Sequence, residues 1–332
     1  MYTERPDYGN GYRIKYLRGI EEVINQRREE CEKTRSEFMK GFSENQEEYR
    51  KKYLDMLGWP LNIEPKEILS VTKRLVFEDD KMIIERIQLE LFKDYLFYGI
   101  LFKHKTDKKL PLVISQHGGW GTPEFCSGFF DTENYNNMSM RIFNKGVNVF
   151  APQLCLWQVN RFGPDNKRDE LDLKLKQLGS SIAALEIYSI KRCLDYFEKE
   201  PYCSGVFGMA GLSYGGFYTL YTTAADTRIK SALSCSHFND RIKYGWASKS
   251  FFNAASTFLD AETAALIIPR HLAIEVGDND ELFTPETAQN EFEILKGYAK
   301  GHEDCFKFHI FKGVHEFCPE NDEAIDWFIS KL

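Results

Sequence analysis

The sequence predicts an α/β domain built on a mostly parallel sheet with helices on both faces, antiparallel strands at its start and a helical extension ahead of it. Three patterns carry that prediction. Charged residues 1–66 repeat their apolar positions every three or four residues; residues 70–104 alternate with period two; beyond residue 110, short apolar strands alternate with helical stretches.

In the first stretch Leu17, Ile20, Val23 and Ile24, then Phe38, Met39 and Phe42, then Tyr49, Tyr53, Leu54 and Leu57 fall at helical spacing, with Gly41 and Gly58-Trp59-Pro60 dividing or ending the helices. A helical arm packed on the domain behind it is the first reading; a dimer contact or an active-site rim is the sharper alternative. SVTKRLVFED, KMIIERIQLEL and YLFYGILFKH read as an antiparallel meander. Parallel strands follow at 112–115, 147–151, 206–210, 231–233, 272–276 and 306–311, separated by helical stretches near 133–145, 179–199, 215–225, 286–299 and 321–331. Two inserts interrupt this alternation: polar residues 156–177, and residues 237–266 with Phe238, Tyr244, Trp246, Phe251, Phe252 and Phe258. Inserts at strand ends commonly line the crevice of such a sheet. The expected organisation is an extension, 1–66, and one catalytic domain, 67–332, carrying the insert 237–266.

Composition narrows the functional classes. A chain of 332 residues that is 43% hydrophobic and 14% aromatic has ample core, which excludes disorder. Its net charge of −7 offers no positive field for a nucleic-acid backbone. No apolar run approaches the ~18 residues of a membrane span and the first residues are polar, so a cytoplasmic protein is expected. The eight cysteines lack C-x-x-C spacing and read as reduced, buried hydrophobes.

The strongest chemical signal is Gly211-Leu212-Ser213-Tyr214-Gly215-Gly216, placed between the strand VFGMA and the helical FYTLYTTAA. A G-x-S-x-G there sets a serine on a tight turn that needs small neighbours, and aims the Tyr214 N–H at the reacting centre. A serine nucleophile needs a base and an orienting acid. Among seven histidines, His315 follows the last strand in FKGVHEF and best fits the base, with His237 in reserve. After the strand HLAIEV, the turn Gly277-Asp278-Asn279-Asp280-Glu281 offers three acids ahead of Thr284-Pro285, an N-cap and first helical residue. Asp280 is chosen, which gives the order Ser213, Asp280, His315. Upstream, Gln116-His117-Gly118-Gly119-Trp120-Gly121 supplies a second oxyanion donor, Gly119 N–H first and Trp120 N–H second, with His117 read as a structural residue of that loop.

These residues resemble the α/β-hydrolase superfamily over about 70–332. Within it, QHGGWG, GLSYGG, GDNDELFTP and GVHEF are similar to the acetyl-xylan-esterase-like and dienelactone-hydrolase-like branch, and GLSYGG also resembles the catalytic domain of prolyl oligopeptidase-type peptidases. Two positions depart. Acetyl xylan esterases tend to carry tyrosine where this chain has Gly119, and dienelactone hydrolases use cysteine where it has Ser213.

The resulting expectation is a serine carboxylester hydrolase working through an acyl-enzyme on a small acyl ester, an acetylated carbohydrate being one candidate. Ser213, Asp280 and His315 form the triad, Tyr214, Gly119 and Trp120 the oxyanion donors, and Trp246, Trp120 and Tyr214 the substrate contacts. The alternatives are a serine peptidase of the prolyl oligopeptidase type and a non-catalytic binding protein on the same fold. Neither a cofactor nor a metal is expected. The partner is a small ester, not nucleic acid or membrane, with homo-oligomer formation open.

Overall fold

In the computed structural model, which describes residues 1–129 and 131–332, two long helices precede the sheet: α1 (Asn10–Phe38) and α2 (Gln46–Leu57). The meander follows as β1 (Ser70–Glu78), β2 (Met82–Phe92) and β3 (Tyr95–His104). The remaining strands are β4 (Leu110–Gln116), β5 (Asn148–Pro152), β6 (Cys203–Leu212), β7 (Ile229–Cys235), β8 (His271–Gly277) and β9 (Phe306–Phe311). Short helices α3 (Pro123–Ser127) and α4 (Met138–Phe143) link β4 to β5, and α5 (Arg168–Gln177) and α6 (Ile182–Phe197) link β5 to β6. Then α7 (Tyr214–Ala225), α8 (Asp260–Ala265), α9 (Pro285–Tyr298) and α10 (Glu323–Ile329) complete the chain.

Among the described residues, nine strands join one sheet in the order β1-β2-β3-β5-β4-β6-β7-β8-β9. Pairing is antiparallel from β1 through β3 to β5 and parallel from β5 to β9. The parallel strands are apolar on both sides because both faces are covered. Ile114, Phe150, Met209 and Ile274 face the cluster under α2, α6, α7 and α8, while Val113, Val149, Ala210 and Ala273 face the cluster under α4 and α10. The register matters for function. Gln116 pairs with Gly211, Leu212 with Cys235, and Gly277 with Phe311, so β4, β6, β7, β8 and β9 all end along one edge.

Several expectations need correction. The insert 156–177 contains α5, and 237–266 contains α8, whose apolar residues are too few to show a helical period. Phe238 and Phe258 are buried in the main core and do not line a crevice. The packed arm is real for α2, where Tyr53 and Leu57 are buried, but in α1 only Cys31 and Arg35 are buried. The eight cysteines are free, seven buried and Cys155 partly so. Among the described residues no helix is long and apolar enough to cross a membrane.

Candidate active site

Loops from β4, β6, β8 and β9 meet at this common edge. Ser213 sits between β6 and α7 with φ 58° and ψ −117°, a conformation that costs a non-glycine residue on the order of 1–3 kcal/mol. Packing holds it there. Its N–H donates to Cys235 O (2.9 Å) and its carbonyl accepts from Phe217 N–H (3.0 Å). The surrounding glycines are obligatory: a Cβ at 211 would lie 2.4 Å from Gly215 O, one at 215 would lie 2.1 Å from Gln116 O, and one at 216 would lie 2.7 Å from Cys235 O. The elbow is therefore wedged between the ends of β4 and β7.

Asp280 and His315 come together on the adjoining loops. His315 Nδ1 lies 3.0 Å from Asp280 Oδ2, while Asp280 Oδ1 accepts from the N–H groups of Leu282 and Phe283, both at 2.9 Å. Asp280 is 2% exposed. Its rivals differ. Asp278 is exposed and caps Gly313 N–H (3.0 Å), and Glu281 is exposed. The ring of Phe283 lies against the imidazole of His315, centroids 5.7 Å apart. The histidine loop reaches the serine turn through Cys235: its carbonyl holds Ser213 N–H, and its thiol donates to Glu316 O (3.3 Å). Ser213 Oγ makes no hydrogen bond to His315 or to any other described residue. In unliganded sites such bonds are often long and tighten when substrate binds.

The amides of Tyr214 and Gly119 have no partner among the described residues, Tyr214 because it opens α7 and has no preceding turn. Gly118 N–H is used up by Tyr135 Oη (2.9 Å). Trp120, at φ 60°, turns its side chain outward and is 76% exposed at the rim, bridged to Trp157. His117 is buried, accepts from Leu154 N–H at Nε2 (3.0 Å) and bonds Gly118 O through Nδ1 (2.8 Å). Burial pushes its pKa down to about 4. His237 is buried against Arg241 (2.9 Å), and burial followed by that guanidinium holds it well below the usual histidine range. Neither is placed to act as base.

One wall is aromatic. The rings of Tyr214 and Trp246 lie 6.4 Å apart, and Trp246 lies 5.5 Å from Phe283. Between them sits a residue that sequence reasoning missed. Lys249 is 1% exposed, with its ammonium 4.0 Å from the Tyr214 ring centroid and 3.9 Å from that of Trp246. Burial, and then Arg241, depress its pKa well below the ordinary lysine value. The segment 134–136 was missed as well. Asn134 Nδ2 donates to His315 O (3.2 Å), Phe317 N–H donates to Asn134 O (2.8 Å), Asn136 Nδ2 donates to Phe317 O (2.6 Å), and Tyr135 holds the glycine loop. A Cβ at Gly121 would sit 2.0 Å from Tyr135 Oη. One segment thus braces both the His315 loop and the glycine loop after β4. The Asn136-Asn137 pair, both left-handed at φ 49° and 57°, was the available signal that the helix predicted there is broken.

Similarity to other proteins extends over most of the chain. Residues 180–292 match the model of the X-Pro dipeptidyl-peptidase (S15) family. A relative in Bacillus subtilis (strain 168), named "Putative hydrolase YtaP", is 25% identical over 284 residues, covering 78% of this chain and 90% of that one. Among solved structures, Acetyl Xylan Esterase 1 from Thermoanaerobacterium sp. JW/SL YS485 superposes with TM-score 0.59 at 16% identity, over 86% of this chain and 93% of that one. A cold-adapted esterase from an Arctic intertidal metagenomic library gives TM-score 0.57 at 18% identity, covering 80% of this chain and all of the other. The methylesterase BT1017 gives 0.67 at 18%, over 88% of this chain and 64% of that one. The fold of this chain is that of the α/β-hydrolases.

Proposed function

We propose that this α/β-hydrolase-fold chain is a serine carboxylester hydrolase that acts through an acyl-enzyme on a small acyl ester, with Ser213 as nucleophile, His315 as base and Asp280 as the orienting acid. The observation that carries the reading is the 3.0 Å hydrogen bond between the buried Asp280 and the half-buried His315, on loops that the sheet brings to the same edge as the strained Ser213 turn. Ser213 Oγ attacks the acyl carbonyl as its proton passes to His315 Nε2, and the imidazolium is stabilised by Asp280 at Nδ1. The tetrahedral oxyanion accepts from the Tyr214 and Gly119 amides, the former assisted by the positive end of α7. Collapse expels the alcohol, which takes the proton from His315. Water then repeats the sequence on the acyl-enzyme and restores Ser213. A short acyl group suits the aromatic wall of Trp246, Tyr214 and Phe283, and Trp120 on the rim would meet the alcohol half.

A peptidase reading draws support from the S15 family match, which spans Ser213. It uses the same triad but must protonate an amine. The separating experiment combines a fluorophosphonate probe with two substrates. Ser213 should be labelled and Ser213→Ala should not, and p-nitrophenyl acetate should be turned over far faster than an X-Pro anilide. Labelling elsewhere, or equal turnover by Ser213→Ala, rejects the serine mechanism; a faster anilide turns the reading to the peptidase.

A further inference from the structure

We propose that α1 is a pairing helix through which two copies of this chain associate antiparallel. At 29 residues it spans about 43 Å, yet residues 10–27 are all exposed, and contact with the body begins only at Arg28, which pairs with Asp240 (2.7 Å). That part carries Tyr12 (80% exposed), Tyr16 (74%), Leu17 (57%), Ile20 (40%), Val23 (64%) and Ile24 (55%). At 100° per residue these six lie within about 140° of the helix circumference, an arc they share with Arg13 and Arg27, and Cys31 and Arg35 fall on the same face. Those two show what the face is for: Cys31 Sγ accepts from Ser256 Oγ (3.2 Å), and Arg35 Nε donates to Glu262 Oε1 (3.1 Å). The face that binds the body at its root continues beyond it with nothing against it. Most of a helix's stability in a protein comes from packing its amphipathic face, and an exposed apolar stripe, here interrupted by Arg13 and Arg27, is a contact surface in waiting.

Charge and shape select a second copy as the occupant. One flank of the stripe carries Lys15 in its amino-terminal half and Glu22 in its carboxyl-terminal half, both exposed. If two α1 helices cross antiparallel about Arg18-Gly19, Leu17 of each meets Ile20 of the other, and Lys15 of each lies beside Glu22 of the other. A Cβ at Gly19 would meet nothing within 4 Å in the single chain, so close approach is available at the crossing. The same register sets the other copy's first turns against the root of α1. Phe252, four residues before the Ser256 that touches Cys31, is 98% exposed there. Six large side chains with their charged flanks and Phe252 approach the ~800 Å² per partner of a standard interface.

Sedimentation equilibrium of the full chain at micromolar concentration tests this. The expected mass is twice the 38.7 kDa of one chain. Ile20→Glu should give a monomer, Lys15→Glu should weaken the dimer by roughly tenfold, and adding Glu22→Lys to Lys15→Glu should restore it. None of these side chains is buried, so each variant should keep the wild-type melting profile of its body. A monomeric wild-type chain, a dimer unaffected by Ile20→Glu, or a charge swap that fails to restore association overturns the proposal.

Discussion

At the residue scale, the two aspartates of the β8 turn separate by what surrounds them. Asp280 has one oxygen fixed by two amides and the other on His315, whereas Asp278 caps Gly313 at the surface. Asp280→Asn should therefore lower kcat/KM by roughly three to four orders of magnitude, because an amide at Oδ2 disfavours the tautomer and the imidazolium that the reaction requires. Asp278→Asn should stay within about threefold of the parent, as surface substitutions usually do. Steady-state kinetics on a nitrophenyl ester checks both; a larger loss from Asp278→Asn would move the acid by two positions. The candidate serine, acid and histidine stand out in the sequence because each sits at a strand end marked by glycine, proline or a charged turn. Lys249 and Asn134 were not, since a lysine reads as solvent and an asparagine as loop until tertiary contacts bury the one and aim the other.

At the element scale, the regular sheet was legible and the inserts were not. Strands β4 to β8 announce themselves because both faces are covered, which gives each a short run of buried apolar residues, as in Leu112-Val113-Ile114, Val149-Phe150-Ala151 and Leu272-Ala273-Ile274. In α8 the signal is hidden: Asp260 and Glu262 are buried, and they sit there because Arg241 and Arg35 answer them. A consequence of that acidic packing is Glu291 on α9, which accepts Ala261 N–H (2.9 Å) and whose pKa is raised to about 8 by burial and then by Glu262 and Asp260, with Asp240 a smaller influence. A carboxyl raised on folding contributes stability that is fully present below its unfolded value near ~4.5 and is lost as pH rises through about 8, an effect on the order of a few kcal/mol. His117, depressed to about 4, acts on the other side, its effect being a loss of stability as pH falls from ~6.5 toward that value. Glu291→Gln keeps the bond to Ala261 without the charge. Its melting temperature should fall less between pH 6 and pH 9 than that of the parent, as thermal denaturation over that range would reveal; parallel curves would show that Glu291 is ionised throughout.

At the scale of the whole molecule, the residues ahead of the sheet divide into two parts with opposite physics. Helix α2 belongs to the body: Arg50 is 8% exposed and donates to Ala224 O (3.0 Å), in the last turn of α7, and to Leu266 O (3.1 Å), just past α8, while Tyr53 packs edge-on to Phe258. The first part of α1 buries nothing in its own chain. Hydrophobic periodicity could not distinguish the two, because an apolar stripe records that a face is covered without recording by which chain. Deleting residues 1–24 should therefore leave the body folded, with a melting temperature within ~2 °C of monomeric Ile20→Glu and with ester turnover retained. Arg50→Met should cost about 1–3 kcal/mol by leaving Ala224 O without its donor and Leu266 O with Arg270 alone, and so lower the melting temperature by several degrees while α1 stays intact. Calorimetry of the three variants compares them directly. If the deletion proves as damaging as Arg50→Met, the free part of α1 supports its own body and the division drawn between the two helices is wrong.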